Sequence, residues 1–334
     1  MVDLLTPMLL AFVVAVGVTK LAEVVSRRRG LLDVPNDRSS HVTPTPRIGG
    51  VGIIAGATAG LLVAGGWREL EALVVLTVAG VLGLVGLADD IGRRSLVGKY
   101  LAQLVSSAVV AIAFTPVLAF TVGEASLKID GVAAGVLTVL WLTAVINAFN
   151  FVDGIDGMLG SLVVVIGLAG AGLVGPGADA PLLVAAAASL GFLTWNYAPA
   201  STFMGDVGSQ FLGVWVGASL LRSTGETVEV VPLLILLGLI LFDTGLTLVR
   251  RMREGKNLFA AHREHLYQRL VASGASHRVV TGAYAGATAL LAAIALAWPG
   301  QPMALQAALV VVVALAGWLL VAWVWRSERT NLPT

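Results

Sequence analysis

Apolar residues form long uninterrupted runs in this chain, with polar residues confined to the short segments between them. A run of about 17–25 apolar residues can cross the hydrocarbon core of a membrane as an α-helix. The runs cover residues 4–25, 49–66, 71–88, 98–116, 131–149, 159–175, 181–197, 208–222, 230–249, 279–298 and 303–325. The pattern therefore predicts an all-α, polytopic integral membrane protein of about eleven transmembrane helices.

Composition supports the membrane assignment. Hydrophobic residues make up 57% of the chain, charged residues 12%, and the mean hydropathy is +0.90. A soluble domain has about 25% charged residues. No shift in composition marks a second domain, so residues 1–334 are interpreted as one transmembrane domain. The absence of cysteine excludes disulfides and thiolate chemistry.

The basic residues predict the orientation of the bundle. Of the 21 Lys and Arg residues, all except Arg68, Lys128 and Arg222 lie on the side that carries the C-terminal tail. Because basic loops stay in the cytoplasm, the N-terminus is expected outside and the C-terminus inside. The cytoplasmic loops are then 26–48, 89–98, 147–158, 198–208 and 250–278.

Acidic residues end several spans on this cytoplasmic side. They are Asp89 and Asp90, Asp153, Asp156 and Asp206. A carboxylate at the edge of a membrane is costly without a partner or a function. Several of them at one rim indicate a divalent cation, and Mg²⁺ in turn suggests a phosphate substrate.

The segment Asn147–Gly157 has the pattern N-x-x-N-x-x-D-G-x-D-G. Asn150 offers a neutral hydrogen-bonding group, and Asp153 and Asp156 would share a face if the turn were helical. A plain Asp-Gly turn between spans is the alternative. The repeated pattern favours a functional site.

The segment around Asp206 joins an amide, an aromatic ring and an acid. Asn196 precedes it, and Phe203 lies three residues before the acid. Phe203 could stack on a nucleobase or belong to the aromatic belt of the membrane interface.

Two cytoplasmic loops are long enough to contribute to a site. Loop 26–48 presents Arg38 and Arg47, which suit phosphate because arginine bonds it bidentately. Loop 250–278 contains His262, Arg263 and His265. The two histidines have a zinc-like spacing but lack a clear third ligand, so phosphate or sugar contact is favoured over a metal, with a solvated loop as the alternative.

Asp243 lies inside the ninth predicted span, seven residues before Arg250. This separation is too long for an i,i+4 pair. A structural role is therefore expected for Asp243.

The order of these motifs resembles the polyprenyl-phosphate N-acetylhexosamine-1-phosphate transferase family. That family includes initiating enzymes of O-antigen and enterobacterial common antigen, with lipid I synthase as a cousin. The motifs are D-x-P-x-x-R-x-x-H-x-x-P-x-P-R-x-G-G from Asp33, D-D at Asp89, the Asn147 motif, F-M-G-D-x-G-S from Phe203 and H-x-x-H from His262. Their combination is specific, whereas each alone is not.

The resemblance implies a reaction and a place for it. Undecaprenyl phosphate attacks the β-phosphorus of a UDP-N-acetyl sugar, giving lipid-linked sugar pyrophosphate and UMP, with Mg²⁺ (or Mn²⁺) required. The protein would lie in the bacterial inner (plasma) membrane with its site facing the cytoplasm. No nucleic acid partner is expected, and the sequence leaves open whether the protein is a monomer or a homodimer.

The resemblance also implies roles for individual residues. Catalytic roles fall to Asp89, as the residue that deprotonates the lipid phosphate, and to Asp90, Asp156 and His265. Asp206 resembles the direct Mg²⁺ ligand, with Asp90 and Asp156 beside it. The implied substrate-binding residues are Asn150, Asp153, Asn196 (diphosphate), Phe203 (uracil), Lys99 (lipid phosphate), Arg38, Arg47, His262 and Arg263.

One motif departs from the family pattern. Many members carry D-x-x-H-x-H-H in the last loop, whereas this chain reads His262-Arg263-Glu264-His265-Leu266-Tyr267-Gln268. The pattern H-x-x-H-x-Y-Q resembles the O-antigen branch, which takes N-acetylated deoxyhexosamines. The sugar is therefore expected to be an N-acetylhexosamine or an N-acetyl-deoxyhexosamine.

A cation-coupled secondary transporter is the main alternative function. Transporter sites usually lie near the membrane midplane on broken helices. Here the acids gather at one rim beside long loops, which favours the enzyme. The residues alone leave open whether attack is direct or passes through an aspartyl-phosphate, although direct attack is favoured because the acceptor is already anionic.

Overall fold

The computed structural model describes residues 4–35, 43–92, 95–222, 227–258, 260 and 262–330. It confirms the all-α prediction. The helices are α1 (Leu5–Arg29), α2 (Gly50–Val63), α3 (Leu70–Asp90), α4 (Leu96–Phe114), α5 (Gly131–Val152), α6 (Met158–Val174), α7 (Ala180–Asn196), α8 (Gly205–Ser219), α9 (Val230–Leu236), α10 (Gly238–Arg253), α11 (Leu266–Ala272), α12 (His277–Ala297) and α13 (Met303–Thr330), with a 3₁₀ turn at Gly66–Arg68. The short strands are β1 (Leu32–Asp33), β2 (Thr45–Pro46), β3 (Leu118–Val122), β4 (Ala125–Ile129) and β5 (Val228–Glu229).

Every predicted span contains a helix, but not every helix has the length of a membrane crossing. Within the described residues, six helices are long and apolar enough to span, or seven if α9 and α10, bent by 74°, form one span. The apolar helices α2, α6 and α7 have 14 to 17 residues, and α8 has 15. A helix enclosed by other helices need not match the thickness of the membrane, so the count of eleven transmembrane helices stays a prediction.

Helix α8 lies at the centre of the bundle. Every residue from Val207 to Ser219 is buried, and α8 packs against α3, α5 and α2. Helices α1, α2 and α7 form a neighbouring group, and α6 packs between α7 and α12. A helix that is apolar on all sides is expected in such a position. The surrounding helices therefore hold the N-terminus of α8 in place.

Side-chain amides join α4, α5 and α8 just inside the bundle. Asn147 Nδ2 donates to Gln103 Oε1 at 3.0 Å, and Gln103 Nε2 donates to Gln210 Oε1 at 3.4 Å. Interhelical hydrogen bonds of this type fix the register of helices in lipid, where apolar contacts alone do not discriminate. Asn147, the first residue of the Asn-Asp motif, therefore has a packing role.

The segments on the predicted cytoplasmic side are shorter or more ordered than predicted. Helix α8 begins at Gly205 rather than at 208, so Asp206 lies in its first turn. Loop 26–48 contains the antiparallel β1–β2 pair, and loop 250–278 contains α11. At the opposite end of α4, strands β4, β3 and β5 form a small sheet. Backbone hydrogen bonds within these strands and helices therefore fix the segments that carry the candidate site residues.

Glycine permits the close approach of α3 to the N-terminus of α8. A Cβ atom at Gly86 would overlap the carbonyl of Asp206 and lie 2.7 Å from Val207 N, whereas a Cβ at Gly80 on the same helix would meet open space. We expect Gly86→Ala to lower the free energy of unfolding by about 1–3 kcal/mol, because backbone must move to make room. The matched control Gly80→Ala should be neutral or stabilising by up to about 1 kcal/mol through helix propensity. Thermal unfolding in detergent measures both, and equal midpoints for the two variants would contradict this packing.

Candidate active site

Asp206 is the centre of a polar cluster at the N-terminus of α8. Its Oδ1 accepts a hydrogen bond from Asn150 Nδ2 at 2.8 Å, and its Oδ2 forms an ion pair with Lys99 Nζ. Lys99 Nζ also lies 3.8 Å from Asp89 Oδ2. Asn150 donates in addition to Ser209 Oγ at 2.9 Å. The ends of α3, α4, α5 and α8 therefore meet at a lysine between two carboxylates.

Asp90 has a different position from its neighbour Asp89. It is 6% exposed, and its two oxygens accept from the backbone N–H groups of Asp206 at 3.2 Å and Val207 at 3.0 Å. Arg47 Nη2 lies 3.1 Å from Asp90 Oδ1. The first N–H groups of a helix lack partners within the helix and carry its positive dipole end, so a carboxylate there stabilises it. Asp90 thus caps α8 from another helix and holds Asp206 in place.

Gly205 makes this capping arrangement possible. It has φ +72°, and a Cβ atom there would overlap the Arg47 carbonyl and lie 2.6 Å from Asp90 Oδ2. The adjoining backbone is fixed by a bond from Phe203 N to Pro46 O at 2.7 Å. The half-buried Phe203 and Arg47 are therefore carried on two segments bonded directly to each other.

Asp153 and Asp156 do not share a face. Helix α5 ends at Val152, and the turn that follows is not helical. Burial raises the pKa of the Asp153 carboxyl to about 8, with the carboxylates of Asp206 and Asp90 adding to the effect. Asp153 is therefore close to the acids of the Asp206 cluster.

Asp156 faces a second group of contacts. Its Oδ2 accepts from Ala200 N at 3.1 Å and lies 3.3 Å from His277 Nδ1. Its carbonyl accepts from Thr281 Oγ1 at 3.0 Å. Asp156 is thus held against the 197–203 segment and the first turn of α12.

Asn196 joins these same segments. It is 4% exposed, its Oδ1 accepts from Gly157 N at 3.0 Å, and its Nδ2 donates to Thr202 O at 2.9 Å. Both ends of the amide are engaged by backbone. In this arrangement Asn196 positions two loops, and its predicted contact with a diphosphate stays a prediction.

The two histidines of the last loop lie against α5. His265 is 2% exposed, and its ring centroid lies 5.5 Å from that of Phe151 and 4.9 Å from that of His262. Burial, with His265 and Arg251 nearby, lowers the pKa of His262 to about 4, so that imidazole is neutral near pH 7. Arg263 is half-buried between them in sequence. The structure places this loop beside the Asp153 segment, but with the His265 ring covered.

The predicted Mg²⁺ ligands are not assembled into a ready metal cage. Within the described residues, no group of three or more His, Cys, Asp or Glu side chains could hold a metal ion. Mg²⁺ is commonly held by one or two carboxylates together with substrate phosphates. The assignment of Asp206, Asp90 and Asp156 therefore stays a prediction, and Arg38 lies outside the described residues.

His277, which contacts Asp156, was not predicted from the sequence. Asp243, for which a structural role was expected, contacts the start of α11. His277 follows Ser276, whose side chain caps α12. The available signal for His277 was its position directly after a helix-capping serine, close to the start of a predicted span.

Comparison with known proteins places the chain in a family. The family model for glycosyl transferase family 4 matches residues 72–224. A probable undecaprenyl-phosphate N-acetylglucosaminyl 1-phosphate transferase from Bacillus subtilis is 31% identical over 289 residues, covering 84% of this chain and 80% of that protein. An undecaprenyl-phosphate alpha-N-acetylglucosaminyl 1-phosphate transferase from Escherichia coli K12 is 32% identical over 295 residues (82% and 78%). A decaprenyl-phosphate N-acetylglucosaminephosphotransferase from Mycolicibacterium smegmatis is 30% identical over 310 residues (81% and 76%). The chain therefore belongs to the polyprenyl-phosphate N-acetylhexosamine-1-phosphate transferases of glycosyl transferase family 4.

Proposed function

We propose that this protein transfers a sugar 1-phosphate from a UDP-sugar to undecaprenyl phosphate, releasing UMP and initiating a cell-surface glycan. The sugar is an N-acetylhexosamine or an N-acetyl-deoxyhexosamine. The relatives are named for transfer of N-acetylglucosamine 1-phosphate to undecaprenyl or decaprenyl phosphate. The observation that carries the proposal is the Asp89–Lys99–Asp206 group at the end of the buried helix α8.

The location of this group suits two substrates of opposite solubility. A lipid phosphate and a nucleotide sugar can meet only where the membrane contacts water. The group lies at the ends of α3 and α4, two helices long enough to span. The loops beside it carry most of the basic residues, so we place the site on the cytoplasmic face of the bacterial inner membrane.

The residues of the cluster suit direct transfer. An oxygen of the lipid phosphate forms a bond to the β-phosphorus of the donor, and the bond from that phosphorus to the bridging oxygen of UMP breaks. Lys99 offsets the repulsion between the two phosphate groups. Asp89, 3.8 Å from Lys99, takes the proton of the lipid phosphate.

The surplus of acids around Asp206 suits a divalent cation. Burial, followed by the nearby carboxylates of Asp206 and Asp90, raises the pKa of Asp153, and oxygen ligands are those that Mg²⁺ prefers. Asp206, with Asp90 and Asp156, would hold Mg²⁺, and Asp206 foremost because both Asp90 oxygens already accept bonds from α8. When bound, Mg²⁺ supplies positive charge to the diphosphate of the donor.

Release of UMP tests the proposed reaction. Purified protein incubated with undecaprenyl phosphate and a panel of UDP-sugars should release UMP with at least one of them, and the active donor identifies the sugar. Asp206→Asn should lower the rate at least about a hundredfold, since a group that holds charge in the transition state is lost. The same change at Asp130, an exposed residue before α5, should leave the rate unchanged. No UMP from any donor, or an Asp206→Asn variant as active as Asp130→Asn, would refute the proposal.

Removal of divalent cations should stop the reaction. We expect EDTA to abolish UMP release and added Mg²⁺ or Mn²⁺ to restore it, because the phosphate charges would otherwise repel each other. The folded state should survive this treatment, as judged by size-exclusion chromatography before and after. Full activity in EDTA would contradict the metal assignment.

A further inference from the structure

Asp243 is a fully buried acid that the proposed reaction does not use. It lies in the second turn of α10, inside the bent α9–α10 pair, with 0% of its surface exposed. Among the described residues, no lysine or arginine forms an ion pair with it. An ionisable group buried in an apolar span is costly unless it is fully hydrogen-bonded. Its presence therefore indicates a specific task.

The partners of Asp243 identify this task. Its Oδ1 accepts from Leu266 N at 2.8 Å, and its Oδ2 accepts from Tyr284 Oη at 2.7 Å. Tyr267 N lies 3.4 Å from Oδ2. Leu266 and Tyr267 begin α11, so the carboxyl of one helix supplies acceptors for the first N–H groups of another. Asp243 holds α11 to α10 and, through Tyr284, to α12.

Helix α11 in turn contacts the segment that carries Asp153. Tyr267 is fully buried, and its Oη donates to Phe151 O at 2.7 Å. A Cβ atom at Gly154 would overlap the Tyr267 hydroxyl, so the two segments are in close contact. Burial, followed by the Asp243 and Asp153 carboxyls, raises the pKa of Tyr267 well above its ordinary value, so the hydroxyl stays a neutral donor.

His265 is the residue immediately before α11 and depends on the same anchor. Its Nδ1 lies 3.5 Å from Asp243 Oδ1, and its ring lies between those of Phe151 and Tyr267, with centroids 5.5 Å and 5.9 Å away. The backbone N–H of His265 donates to Gln268 Oε1 in the first turn of α11 at 3.2 Å. The position of this ring is thus set by Asp243 and α11 together.

We propose that Asp243 is a positioning residue for the donor side of the site. It acts through α11 and Tyr267 on the Phe151–Asp156 turn, and it does not touch substrate. The inference rests on the proposed transfer reaction, in which that turn binds the nucleotide sugar. Among the described residues, Lys99 on α4, around which the lipid phosphate side is built, forms no hydrogen bond or ion pair with Asp243 or with α11.

Asp243→Asn tests the inference, because it keeps the shape but places an amide N–H₂ against groups that need an acceptor. We expect the KM for the UDP-sugar to rise about tenfold, the scale of a small displacement at a binding group. The KM for undecaprenyl phosphate should stay unchanged. A general loss of folded protein would change neither KM. Tyr284→Phe, which removes one donor to Asp243, should act in the same direction and more weakly.

A second readout does not depend on catalysis. Trypsin cleaves after Lys256 and Arg263, which precede α11, and release of α11 should speed cleavage there several-fold in the full-length Asp243→Asn protein. Thr288→Val is the matched control: Thr288 lies one turn from Tyr284 on α12, is 1% exposed, and its hydroxyl has no partner within the described residues. It should leave both KM values and the cleavage rate unchanged.

The outcomes separate this inference from the proposed function. Wild-type protein that releases no UMP with any donor sinks the function, while cleavage still reports on the anchor. A folded Asp243→Asn variant with a wild-type donor KM, or with a wild-type cleavage rate, overturns the inference. If Asp243→Asn does not fold, Tyr284→Phe decides by the same two criteria.

Discussion

The carboxylate of Asp90 at the N-terminus of α8 is the interaction on which the rest of the site depends. Helix α8 is buried from Val207 onward, and its first N–H groups have no partners within the helix itself. Asp90 supplies those acceptors from the end of α3, and Arg47 from the loop after α1 balances its charge. A single buried acid thereby brings three distant segments to one point. As a consequence, Asp206, the second residue of α8, is oriented towards Lys99 and Asn150.

A second buried carboxyl, that of Asp243, also accepts hydrogen bonds from the first N–H groups of another helix. Asp243 provides acceptors for the start of α11, as Asp90 does for α8. In both cases a carboxyl on one helix fixes the first turn of another. Short helices cannot be held by hydrophobic matching to the membrane, so directional bonds at their ends define where their side chains lie. This arrangement explains how a protein that consists mostly of apolar helices can place polar groups accurately at its surface.

Much of this architecture could be predicted from the chain. Long apolar runs predicted an all-α membrane protein, and the order of motifs predicted the family, and both are confirmed. The gathering of Asp89 and Asp206 follows from acids that end spans on one side, whereas Lys99 was expected there only from the family resemblance. The different contacts of Asp89 and Asp90 could not be predicted. The two acids are adjacent at the end of the same span, and the sequence does not show which of them faces the protein interior. The separation of Asp153 from Asp156 depends on where α5 ends, and two glycines made either a helical or an open turn possible. Asn196 and His265 match functional motifs, yet their burial is a property of packing between distant segments that no local spacing records.

The central claim is that the N-terminus of α8 is where the nucleotide sugar is bound for transfer. An experimental structure of the full chain with a UDP-sugar and Mg²⁺ tests it most directly. We expect density for the diphosphate beside Asp206 and Lys99, with Asp90 still bonded to the first turn of α8. A donor bound away from this helix end, or on the opposite face of the bundle, would contradict it.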